Sequence, residues 1–199
     1  NLQTTHASKI FSDVEADSWY EDAVTFCNFN KYMTGYADTD LFGPSNELTR
    51  AEFVTVLHRI VDPEAASADF ANVKNETGFA DVEDGMFYTA AANWAVANKI
   101  ITGVDGVEFQ PYTPVDRQTM CVILSRYLKA ENPSMDKLNS MPDADGVAEW
   151  ATEGVAWALN EGVISGVDVD GTRYIQADTI LSRAMAAQVI ANSCYNDLL

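Results

Sequence analysis

The segment Leu48-Thr49-Arg50-Ala51-Glu52 recurs in altered form as Val115-Asp116-Arg117-Gln118 and again as Leu181-Ser182-Arg183-Ala184. In each copy a residue with a short side-chain oxygen, Thr49, Asp116 or Ser182, precedes a run of helical apolar periodicity. That is the signature of a helix N-cap, which accepts a hydrogen bond from an otherwise unpaired backbone N–H. Glu52, three residues beyond Thr49, makes a reciprocal capping box available in the first copy. The arginine after each cap needs a separate reason, because a cation beside the positive end of the helix dipole costs on the order of a few tenths of a kcal/mol. Two uses fit. Arginine beside free helix N–H groups makes a site for a carboxylate or phosphate. Alternatively, each arginine pairs with an acidic group or carbonyl of a neighbouring repeat and locks the fold.

Outward from these three points the chain reads as tandem repeats. They open at Phe11-Ser12-Asp13-Val14, Phe79-Ala80-Asp81-Val82 and Met141-Pro142-Asp143-Ala144, and end near Val61, Leu128 and Asn192. With their linkers they divide the chain into 1–62, 63–130 and 131–199. A first helix in each carries a stripe at +4 and +7: Trp19, Ala23, Phe26; Phe87, Ala91, Trp94; Trp150, Gly154, Trp157. Sixteen residues separate Trp19 from Gly35, Phe87 from Gly103 and Trp150 from Gly166. That constancy predicts a rigid helix ended by a glycine C-cap. The intervals from these glycines to the repeat arginines are 15, 14 and 17 residues, so the variation falls in a loop. Turn formers there precede Phe42, Phe109 or Tyr174, predicting a tight turn or short hairpin pinned by that aromatic. A second helix starts at each arginine, with the buried faces Phe53, Val56, Leu57, Ile60; Met120, Ile123, Leu124, Tyr127; and Ala186, Val189, Ile190. One such pair of helices cannot easily bury its own core, so the expectation is a mainly all-α protein with three helix-loop-helix repeats packed as one pseudo-threefold body.

Composition narrows the function. Twelve basic against thirty acidic residues give a net charge of −18, which argues against nucleic acid or an anionic membrane as partner. There is no apolar run long enough to insert into a membrane, and Asn1-Leu2-Gln3-Thr4-Thr5 lacks the regions of a signal peptide. Cys27, Cys121 and Cys194 are odd in number and far apart, and Cys27 and Cys121 fall in helical apolar patterns as buried thiols. The histidines His6 and His58 accompany no nucleophile motif, so no catalytic residues, and no enzyme activity, are assigned. The loops beginning at Asp38 and Asp168 lack the glutamate of a calcium-binding loop, so their aspartates are read as Asx-turn residues, with no metal and no cofactor.

Phe11-x-Asp13-Val14, Trp19-Tyr20-x-x-Ala23, Gly35-Tyr36, Phe42-x-Pro44 and Leu48-Thr49-Arg50-Ala51-Glu52 together resemble the S-layer homology (SLH) domain. The second and third repeats are more divergent, with Thr119 and Met185 where the first has Glu52. The resemblance implies a three-pronged helical body whose first helices form a central bundle. It implies a non-catalytic module of an exported protein, at the bacterial cell surface, anchored to an anionic secondary cell-wall polysaccharide that often carries pyruvylated sugar. By the same resemblance Arg50, Arg117 and Arg183 are anion contacts in grooves between prongs. Gly35, Gly103 and Gly166 are close-approach backbone, and Trp19, Phe87 and Trp150 stand at the groove wall, against the reading of those three as core. Asp13, Asp81 and Asp143 read as turn or cap residues. The rival role is structural: a protein–protein module, or lateral self-association in a surface layer, with the arginines as locks.

Overall fold

The computed structural model describes residues 5–66 and 69–199; the first four residues read above for a leader, and Ser67 and Ala68 of the first linker, lie outside it. Among the described residues the α-helices are α1 (Glu21–Phe29), α2 (Arg50–Val61), α3 (Thr89–Ala97), α4 (Arg117–Tyr127), the short α5 (Asp136–Asn139), α6 (Thr152–Asn160) and α7 (Arg183–Tyr195). One antiparallel hairpin joins β1 (Val167–Val169) to β2 (Thr172–Tyr174), so the protein is mainly α. The second helices begin where their caps predict: Thr49, Asp116 and Ser182 accept from the N–H of Glu52, Thr119 and Met185, and Thr49 with Glu52 closes a full capping box.

The three repeats are joined through the starts of these second helices. Leu48 N–H donates to Leu181, Leu181 to Val115 and Val115 to Leu48, a closed ring of backbone hydrogen bonds of 2.8–2.9 Å. Beside it, the first two N–H groups of each helix reach loop carbonyls of another repeat. Arg50 and Ala51 donate to Thr113 and Pro111, Arg117 and Gln118 to Thr179 and Ala177, and Arg183 and Ala184 to Asn46 and Pro44. Helix packing follows the same order: α2 lies on α3, α4 on α6 and α7 on α1. The close pairs therefore couple a second helix to the first helix of another repeat, rather than joining the first helices to one another as the resemblance implies. The small residues of the first helices make this approach possible. Ala23, Ala91 and Ala92 are buried, and a Cβ at Gly154 would meet Val122 Cα at 2.9 Å. Gly154→Ala is expected to cost about 1–3 kcal/mol through overpacking of α6 against α4, read as a shift in urea midpoint with unchanged slope.

Three expectations need correction. The first helices end earlier than the glycines, at C-caps Asn30, Asn98 and Glu161. The left-handed position is taken by Lys31, Lys99 and Gly162, and Tyr32 and Ile100 donate back to Cys27 and Ala95 to close the first two ends. Gly35 and Gly103 lie in the following loops, where a side chain would strike Phe11 and Phe79; Gly166 packs beneath Met141. Secondly, Trp19, Phe87 and Trp150 do not head a buried stripe: they are 62%, 41% and 58% exposed, just ahead of their helices. The first two stack edge-on against the next ring, Tyr20 and Tyr88. Thirdly, Phe42 and Phe109 pin their loops as expected, but the third pin is the fully buried Ile175, not Tyr174. The longer third loop forms the β1–β2 hairpin, which ends at Tyr174 and displaces the pin by one residue. In all three loops one aspartate accepts two consecutive N–H groups at 2.7–3.0 Å: Asp13 from Phe42 and Gly43, Asp81 from Phe109 and Gln110, Asp143 from Ile175 and Gln176.

His58 of α2 packs its ring on Trp94 of α3, centroids 5.3 Å apart, and Trp94 packs on Tyr127. Burial draws the His58 pKa below its ordinary value, with Asp62 opposing. The folded state then favours the neutral ring, and the unfolded chain protonates first as pH falls. The stability this ring contributes is complete above the unfolded pKa of about 6.5 and declines below it. Melting curves of the wild type and His58→Gln are expected to converge as pH is lowered from 7.5 to 5.

Candidate functional site

The arginines that mark the repeats are inter-repeat locks. Arg50 Nε donates to the Phe109 carbonyl at 2.8 Å, Arg117 Nη1 to Ile175 at 3.1 Å and Arg183 Nε to Phe42 at 2.9 Å. The helix N–H groups imagined as an anion site are occupied by the loop carbonyls and cap side chains described above, so the anion capacity of these positions rests on guanidinium alone. The three differ in what remains. Arg183 is fully engaged: Nη1 pairs with Glu52 and Nη2 donates to Thr34, both at 2.9 Å, and its plane lies over Tyr36 and Phe42. For Arg50 no acceptor for Nη1 or Nη2 is found among the described residues, and its carbon Cζ stands 5.8 Å from the Phe109 ring centre.

Two grooves gather the residues singled out from the sequence, each drawing on all three repeats. A cavity of about 410 Å³ brings together Arg50, Gly103, Thr119, Arg126 and Trp150. Another of about 420 Å³ brings together Gly35, Tyr36, Glu52, Arg59, Phe87 and Arg183. Gly35 and Gly103 give each groove a backbone floor, while the exposed rings of Phe87 and Trp150 wall it. Arg117, Gly166 and Trp19 enter neither groove. Arg117 is engaged with Ile175, Gly166 lies under Met141, and Trp19 rests on Tyr20.

Arg59 and Arg126 were missed in the sequence, although the signal is present. Each stands nine residues after a repeat arginine, at equivalent positions of α2 and α4; the third repeat has Asn192 at that place. Asn192 accepts instead from Gln188, 2.8 Å away within α7. Each groove thus holds two guanidinium groups. Burial is the main influence lowering the Arg50 pKa; Asp81 opposes it and Arg126 adds to it. Burial likewise lowers that of Arg59, followed by the charge of Arg183. Both stay protonated at neutral pH, so each pair is a local concentration of positive charge on a strongly acidic chain. Such a groove suits a small anion carried on a body with an apolar face: charge-assisted hydrogen bonds take the anion and the aromatic wall takes the face. Among the described residues no helix is long and apolar enough to cross a membrane.

Comparison with known proteins agrees with the repeat pattern. The S-layer homology domain matches residues 10–54, 78–121 and 140–184. The chain is 29% identical over 192 residues to the exoglucanase XynX of Acetivibrio thermocellus, covering 92% of this chain and 16% of that protein. It is 28% identical over 195 residues to the S-layer protein sap of Bacillus anthracis, covering 94% and 21% respectively. It is 26% identical over 166 residues to a cellulosome-anchoring protein of Acetivibrio thermocellus, covering 82% and 34%. The chain therefore spans between 16% and 34% of the length of these relatives. With three matches that together take in well over half of its residues, the chain belongs to the S-layer homology domain family.

Proposed function

We propose that this chain is a non-catalytic, cell-surface anchoring module that tethers a larger protein to the bacterial envelope by binding an anionic, pyruvylated cell-wall polysaccharide. The observation that carries the reading is the Arg50 groove. There, Arg50, whose terminal guanidinium nitrogens have no acceptor among the described residues, lines one cavity with a second arginine, Arg126, and with Trp150. A pyruvyl ketal is a compact carboxylate on a sugar, so one unit offers both the charge and the ring that such a groove suits. The relatives named as S-layer and cellulosome-anchoring proteins support a surface role, and those named as enzymes are matched over a small share of their length. The cyclic order of inter-repeat hydrogen bonds supports a three-pronged, pseudo-threefold body. Within it the Arg50 groove ranks first. The Arg183 groove follows, with Arg59 as its cation because Arg183 is engaged. A groove around Arg117 would have Asn192 and Met185 in place of Arg59 and Glu52 and ranks last.

Calorimetric titration with purified wall glycan, in parallel with the same glycan after mild acid removal of pyruvyl groups, tests this. Two binding events per chain are expected, weakened more than tenfold on depyruvylation. Equal binding of both would mean that a neutral feature is read. No binding to either would favour the second reading, a structural module that assembles with other proteins or with copies of itself. The full engagement of Arg183 as a lock supports that alternative.

A further inference from the structure

Beside the Arg183 groove lies a larger cavity of about 760 Å³, lined by the last turn of α2, by Pro63, Glu64, Ala65, Phe70 and Val73, and by α3. The two spaces share Thr55, Arg59, Phe70 and Phe87. Arg59 stands at their junction in an unusual state. Its Nε is buried without an acceptor among the described residues, and Nη1 reaches only the Tyr32 carbonyl, at 3.4 Å. A buried donor left unpaired is costly, and a ligand oxygen would relieve that cost. Phe70 and Phe87, which line both spaces with it, are 46% and 41% exposed. The larger cavity is also lined by His58, Asp62 and Glu64. Aromatic faces with hydrogen-bonding groups between them are what sugar rings require, the C–H face on the ring and the hydroxyls on the polar wall.

We infer that this cavity is a second sugar subsite, so that the Arg183 groove holds at least two consecutive units of the glycan while the Arg50 groove holds one. The inference rests on the glycan-binding reading above. The difference between the grooves comes from the linkers. Between α2 and α3 the described residues Pro63, Glu64, Ala65, Phe70 and Val73 line the space. After α4 the corresponding stretch folds into α5, which buries Leu138 and sets Lys137 on the Leu159 and Asn160 carbonyls at the end of α6.

The test is the dependence of affinity on glycan length in the Trp150→Ala background, which removes the Arg50 groove. The probes are the pyruvylated monosaccharide and the fragment of two or three units released from the same wall glycan. The longer fragment is expected to bind about tenfold more tightly. Ala90→Trp fills the second cavity from α3 without lining the Arg183 groove and should erase that gain while leaving monosaccharide affinity unchanged. His58→Ala, which removes part of the polar wall, should reduce the gain severalfold. Equal affinity for both lengths, or a length gain that survives both substitutions, overturns the second subsite alone. Absence of binding by any fragment to the unaltered chain overturns the anchoring reading and this inference with it.

Discussion

An Arg183→Met variant is expected to lose about 3–5 kcal/mol of unfolding free energy, because removing one member of a buried pair leaves its partners uncompensated. Five acceptors or faces depend on this guanidinium: the Phe42 and Thr34 carbonyls, the Glu52 carboxylate, and the rings of Tyr36 and Phe42. Methionine retains the apolar stem and reproduces none of the three hydrogen bonds. The contact also joins the last repeat to the first, so its loss should let α7 part from α1 before the rest of the chain unfolds. For a domain stable by about 5–15 kcal/mol the loss is a large fraction of the total. Arg117→Met, which removes a single hydrogen bond, should cost only about 1–2 kcal/mol. Urea unfolding of both variants checks the ordering, and hydrogen exchange in α1 and α7 checks where the structure opens first. Equal effects, or a loss under 1 kcal/mol for Arg183→Met, would mean that the ring does not close through this side chain.

Why the lock was only one of two readings in the sequence is a matter of distance. The caps Thr49, Asp116 and Ser182 act on N–H groups three residues away, so their role is written locally and the helix starts follow from it. The acceptors of the arginines lie 58 to 149 residues away, where periodicity carries no information. The same division explains the errors. A left-handed residue ends the first helices, but in α1 and α3 it is a lysine rather than the expected glycine, and Gly35 and Gly103 answer instead to the rings of Phe11 and Phe79. The stripe beginning at Trp19, Phe87 and Trp150 assumed helix from its first member. Because α1, α3 and α6 begin two residues later, those rings fall ahead of the α-helix and into solvent. The exposure that removes them from the core leaves Phe87 and Trp150 lining the two cavities. Arg59 and Arg126 were legible at their fixed nine-residue interval, and the focus on the cap motif hid them.

The second large effect is on binding rather than stability. Arg126→Ala is expected to weaken glycan binding in the Arg50 groove by about 10–100-fold, the equivalent of one charge-assisted hydrogen bond at about 1.5–3 kcal/mol. The same substitution should leave the melting temperature nearly unchanged, since among the described residues Arg126 makes only one long side-chain hydrogen bond, 3.4 Å to the Thr102 hydroxyl. Its comparators are Trp150→Ala, which removes the exposed wall without touching the ring of inter-repeat hydrogen bonds, and Trp19→Ala, whose similarly exposed ring stands in neither groove. Loss on Trp150→Ala with no loss on Trp19→Ala would tie binding to the groove rather than to exposed indole in general. Rising salt should weaken the wild type more than Arg126→Ala, because one fewer charge is screened. Arg50 is unsuited to this comparison: its Nε holds Phe109, so its removal disturbs fold and groove together. Arg126 separates the two roles because it belongs to the site without belonging to the lock. If Arg126→Ala and Trp150→Ala both bind pyruvylated glycan as tightly as wild type, the charge in this groove serves the fold and the anchor lies elsewhere.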